Sequence, residues 1–139
     1  MMGRLDLVAM LHAAHAVEDE VEAKLNGIRL SAAKLAALRA LSETGEPLPL
    51  SQLADRLSCV KSNITQLVDR LEADGFVARQ ADPRDRRTRL AALTPAGRKA
   101  VADGMRVFDA AEREVFSRLS RDEAQQLHAL LDKMRDTSA

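Results

Sequence analysis

With 139 residues, 46% of them apolar, the chain has material for one compact domain, or one protomer of a small oligomer, with a real core. Basic and acidic residues number 21 each, so bulk charge gives no support to nucleic-acid binding, and any such affinity must come from local placement. A lone cysteine, Cys59, excludes an internal disulfide framework and fits a reducing, cytoplasmic compartment, and no stretch is long enough to span a membrane.

From about Leu5 to Asn26, Val8, Leu11, Ala14, Val17, Val21 and Leu25 recur three or four apart, which predicts one long helix ended near Gly27. Arg4 and the apolar run before Ala14-His15-Ala16 only faintly outline a secretory leader, because Asp6, His12 and His15 interrupt it. Ser31 is a good N-cap for a second helix carrying Leu35, Leu38 and Leu41 and stopped by Gly45 and Pro47. Ser51 is expected to cap a short third helix, Gln52 to Leu57. The turn Ser58-Cys59 then leads to a fourth helix, Val60 to Asp74, whose apolar residues Val60, Ile64, Leu67, Val68 and Leu71 share one side. Gly75 supplies its stop.

After Gly75 the period changes. Phe76 to Arg79 and Arg89 to Leu93 predict two short strands, with Asp82-Pro83-Arg84-Asp85-Arg86-Arg87 as a polar turn projecting into solvent. Thr94-Pro95 then starts a fifth helix to about Leu119, striped by Val101, Met105, Phe108, Val115 and Phe116. Gly104 inside it points to a bend or a close packing contact. Ser120 and Glu123 have capping-box spacing before a last helix with Leu127, Leu130, Leu131 and Met134.

These elements outline a mostly α fold with a small β-hairpin wing, a winged helix-turn-helix whose third and fourth helices form the helix-turn-helix. At 100° per residue, Ser62, Gln66, Asp69 and Ala73 oppose the apolar side of the fourth helix, flanked by Asn63 and Arg70 on one edge and Thr65 on the other. Amides and short polar groups suit base edges in a major groove, a Gln or Asn amide matching adenine. Alone, this is equally an ordinary surface helix; the hairpin with Arg84, Arg86, Arg87 and Arg89 directly after it moves the reading to DNA. The expected DNA-contacting set is Lys61, Ser62, Asn63, Thr65, Gln66, Arg70, Arg84, Arg86 and Arg87. The winged core should span about residues 31–93, leaving about 1–30 and 95–139 as helices whose stripes have no partner in so short a chain. A second copy is the natural one, giving a symmetric dimer joined by the first, fifth and sixth helices.

The chain resembles the MarR family of bacterial transcriptional regulators over nearly its whole length. L-V-D-R-L-E-A-D-G-F-V (Leu67 to Val77), D-P-R-D-R-R (Asp82 to Arg87) and L-T-P-A-G-R (Leu93 to Arg98) are the most specific pieces, while Leu30 to Leu41 and Leu119 to Leu131 resemble the family's second and last helices. The resemblance implies a homodimer on a pseudo-palindromic operator in double-stranded DNA, usually a repressor of a nearby operon, released by a small-molecule effector or by oxidation. It also implies that Asp85 orients Arg87 and that Arg87 enters the minor groove. Where many members have arginine in the recognition helix this chain has Gln66, which favours adenine over guanine there.

Other candidates read more plainly. Cys59, near a helix start, sits where a thiol can become reactive, but peroxide-sensing members generally carry their cysteine in the first helix, so a small packed residue is the expectation. His12, His15 and His128 would need the terminal helices to pack together to approach zinc coordination, and no cysteine or carboxylate set completes a site, so no metal and no cofactor are expected. With no Trp or Tyr and only Phe76, Phe108 and Phe116, an aromatic-lined effector pocket looks poor. Nothing resembles a catalytic constellation, so the chain is not expected to be an enzyme. The rival reading is a winged-helix dimer acting as a protein-interaction module or antirepressor without DNA binding. Such a protein could dispense with both the arginine hairpin and the polar helix face.

Overall fold

Helix caps and glycine stops divide the chain. In a computed structural model describing residues 2–57 and 63–135, with side chains from residue 6, helix α1 spans Met2–Asn26. Leu25 is its buried end, and its carbonyl accepts the amides of Ile28 (3.0 Å) and Leu30 (2.9 Å). The left-handed residue in this turn is Arg29 (φ 63°), not Gly27. Helix α2 (Ala32–Thr44) starts where Ser31 Oγ accepts from the Lys34 amide at 3.1 Å and stops at left-handed Gly45 (φ 72°). Its inner face buries Leu35, Leu38 and Leu41, as their spacing requires.

The next turn departs from expectation. A short strand β1 (Leu48–Pro49) precedes α3 (Leu50–Arg56), which begins at Leu50 without a side-chain cap; Ser51 lies inside its first turn and does not cap it. The cause is tertiary: Leu48 and Pro49 pair with Ala91 and Leu90 of a later strand, and that pairing fixes the chain's entry into α3. A proline is admissible there because an edge strand needs only half of its ladder.

Helix α4 is Ile64–Ala73, with the part expected before Asn63 outside the described residues. Gly75 (φ 80°) ends it, and the Phe76 amide reaches back to the Leu71 carbonyl at 2.9 Å. Strands β2 (Val77–Asp82) and β3 (Asp85–Leu93) form an antiparallel hairpin longer than expected, in a sheet of order β1-β3-β2. Asp85, Arg86 and Arg87 therefore belong to a strand, and the turn is only Pro83-Arg84. Asp82 closes it tightly, its carboxylate accepting the Arg84 amide at 2.9 Å.

Helix α5 (Pro95–Phe116) ends before the expected Leu119, the chain turning at Ser117 toward α6 (Arg121–Arg135). Both capping-box bonds form, Ser120 N–H to Glu123 Oε1 at 2.8 Å and Glu123 N–H to Ser120 Oγ at 3.1 Å. At the other end of α5, Thr94 Oγ1 accepts the Gly97 amide and donates to the Gly75 carbonyl at 2.6 Å. This ties the start of α5 to the end of α4. Gly97 has no room for a side chain, since a Cβ would lie 2.0 Å from the Phe76 carbonyl oxygen. Gly104 answers the question its position raised: it is a close packing contact, with a Cβ reaching within 2.7 Å of the Leu30 and Leu35 methyls.

The core gathers Leu25, Leu30, Leu38, Leu53, Val68 and Leu71 where α1, α2, α3 and α4 meet, closed by α5. The far ends are different: Leu7, Val8 and Leu11 of α1 and Leu127, Leu130 and Leu131 of α6 are exposed. No helix among the described residues is long and apolar enough to cross a membrane.

Candidate nucleic-acid interface

The orientation of α4 follows from what it buries. Leu67, Val68 and Leu71 face the core and Ile64 packs partly against it, so Thr65, Gln66, Asp69 and Arg70 are left exposed. Asn63 stands at the N-cap but makes no side-chain capping bond, which leaves its amide available. Lys61, Ser62 and Cys59 lie outside the described residues.

The hairpin carries its arginines outward: Arg84, Arg86, Arg87 and Arg89 are all exposed, and among the described residues none of them is in an ion pair. Asp85 does not grip the Arg87 guanidinium. Its carboxylate instead accepts the Arg87 backbone amide at 3.0 Å and the Thr88 hydroxyl at 3.2 Å. Asp82 treats Arg84 in the same way. The spacing D-P-R-D-R-R thus places two aspartates three apart, each fixing the main chain of the arginine two residues on. The side chains stay free to follow an anionic groove.

One member of the site was not visible in the sequence. Arg79 of β2 reaches across to α4, with Nη2 2.6 Å from Asp69 Oδ1 and Nη1 2.9 Å from Glu72 Oε1. The hydrogen bond it donates to Asp69 is the main reason its guanidinium is held even more firmly in the charged form, with the charges of Asp69 and Glu72 adding to it against some desolvation. The contact spans ten residues and joins a helix to a strand, so no local pattern announces it.

Elsewhere, His15 Nδ1 bonds to the Leu11 carbonyl at 2.7 Å within α1, and His128 lies 3.4 Å from Asp132 within α6. Among the described residues no group of three His, Cys, Asp or Glu is placed to hold a metal. A cavity of about 270 Å³ lies between the α1–α2 turn and α5, lined by Ile28, Leu30, Phe76, Ala100 and the Lys99–Asp103 pair. Phe76 is its single aromatic residue.

Residues 30–88 match the MarR family. The uncharacterized HTH-type transcriptional regulator YkoM of Bacillus subtilis is 33% identical over 119 residues, 86% of this chain and 73% of that protein. The chain belongs to the MarR family. It is accordingly a transcriptional regulator and not an enzyme. Among solved MarR-like structures, BpsR of Bordetella bronchiseptica, described with its regulation of DNA binding by 6-hydroxynicotinic acid, is 26% identical with a TM-score of 0.78, over 99% of this chain and 94% of that one. A cysteine-to-serine mutant of Escherichia coli MarR complexed with operator DNA shares the fold at 23% identity and a TM-score of 0.78, over 94% of each chain.

Proposed function

We propose that this MarR-family chain is a homodimeric, cytoplasmic repressor that binds a pseudo-palindromic operator of a nearby operon and releases it when a small molecule or a stress signal arrives. The observation that carries the reading is the joining of two exposed surfaces. The polar row of Asn63 at the N-cap of α4 and Thr65, Gln66 and Arg70 on it is followed through β2 by a hairpin tip bearing Arg84, Arg86 and Arg87. The helix suits base edges in a major groove, and the arginines suit the backbone and a narrow minor groove. About residues 31–93 form the DNA-reading part in this account, and the flanking helices form the dimer. The exposed apolar residues of α1 and α6 support that division, because a soluble monomer rarely leaves so many uncovered together. The operator complex of E. coli MarR supports the DNA ligand, and the regulation of BpsR by 6-hydroxynicotinic acid supports a small-molecule signal.

The test is to titrate the protein against DNA from upstream of its own gene and against scrambled duplex at several salt concentrations. A preference for the upstream duplex that weakens steeply with salt is the expected result. Arg87→Ala should reduce affinity across many sequences and flatten the salt dependence. If Arg87→Ala binds like the parent at every salt concentration, the hairpin is not a DNA contact and the protein-interaction reading moves ahead.

A further inference from the structure

Asp69 is an anion in the middle of a surface that has to meet one. It lies four residues after Thr65 and three after Gln66, one helical turn from both, and its side chain is 56% exposed. An open carboxylate there would face phosphates at short range, and like charges juxtaposed across an interface are costly. The structure gives it a partner. The Arg79 fork spans Asp69 and Glu72, and the Arg79 backbone amide donates to Glu72 Oε2 at 3.3 Å. Only 23% of the Arg79 side chain is exposed, unlike the outward arginines of the hairpin tip. With both terminal nitrogens turned onto the α4 carboxylates and most of the side chain covered, this guanidinium is poorly placed to reach a phosphate.

We propose that Arg79 is a positioning residue for DNA recognition: it neutralises Asp69 and holds that carboxylate aside, so that α4 presents Thr65 and Gln66 without repelling the duplex. The proposal rests on the DNA-binding reading above and adds a residue that acts through another instead of touching DNA.

A charge-masking role and a direct phosphate contact predict different behaviour, which full-length variants separate. Arg79→Gln, Asp69→Asn and the double variant would be titrated against the upstream duplex at several salt concentrations, with circular dichroism melts to identify any variant that has unfolded. Arg79→Gln should weaken binding on the order of tenfold or more. Adding Asp69→Asn should restore affinity to within about threefold of the parent, with the parent's salt slope, because no phosphate contact has been removed. Failure of Asp69→Asn to rescue, together with a slope reduced by about one, would instead make Arg79 a phosphate ligand and overturn the proposal. Asp69→Asn alone decides the matter should Arg79→Gln not fold. It should bind within about threefold of the parent, and a tenfold loss would mean that Asp69 is itself a base reader, as a carboxylate accepting from cytosine can be. A parent that does not prefer the upstream duplex fails earlier and differently, removing the DNA reading together with the proposal.

Discussion

The leucines of α2 and those of α6 have the same helical spacing and opposite surroundings. Leu38 is 0% exposed within the core, whereas Leu130 is 58% exposed among the described residues. Periodicity says that a face must be covered; it does not say by what. In the middle of the chain the cover is intramolecular, and at the ends the proposed dimer supplies it from a second copy. The two regions should therefore respond to different kinds of damage.

Leu38→Ala attacks the internal cover and should cost roughly 2–5 kcal/mol at every protein concentration, read from urea unfolding. A loss below 1 kcal/mol would mean that the core is less tightly closed than its burial indicates. Leu130→Asp attacks the external cover. It should leave the protomer's circular dichroism spectrum intact and weaken self-association by on the order of 100-fold, measured by sedimentation across concentrations. An unchanged association constant would place the interface elsewhere.

Glycines sharpen the contrast within α5. Gly97→Ala drives a methyl into the rigid Phe76 carbonyl and should cost about 1–3 kcal/mol. Gly104→Ala meets only the ends of Leu30 and Leu35, which can turn aside, so its loss should be the smaller of the two. Equal losses in thermal melts would show that those leucines are held as firmly as the backbone.

The smallest effect belongs to the surface seam between α1 and the end of α5 with the turn that follows it, where Lys24 pairs with Glu114 and Arg118 with Glu20 at 3.0 Å. The Lys24 hydrogen bond, more than its charge, holds the Glu114 carboxyl below the usual carboxylate range. A depressed folded pKa contributes stability that is present above the unfolded value of 4.5 and is lost as pH falls through the folded one. The melting temperature of the parent should thus exceed that of Glu114→Gln slightly at neutral pH, and the gap should close in acid. Both groups are exposed, so a gap that grows on acidification would contradict the assignment of sign, whatever its size.

What the residues disclosed in advance depended on distance along the chain. The caps at Ser31, Thr94 and Ser120 and the stops at Gly45 and Gly75 close bonds within a few residues, and all five stand where the spacing put them. The start of α3 is not legible locally, because β1 forms only by pairing with β3, some forty residues on. The hairpin runs longer than its turn residues suggest, because Asp82 and Asp85 signal a turn yet bind nearby main chain and let the strand run on through Arg87. The polar face of α4 was legible from the apolar side it opposes. In the helical pattern Asp69 is one polar residue among several, and only the approach of β2 makes it half of a clamped pair.

The central claim is that two copies of this chain, joined by their exposed ends, set two α4 helices on one face of a duplex. Hydroxyl-radical footprinting on the upstream DNA, with the mass of the complex measured in parallel, tests it most directly. The account predicts two chains per site and a two-fold symmetric protection whose half-site centres lie about one helical turn, roughly 10 base pairs, apart. One chain per site with a single unsymmetric protection would contradict it.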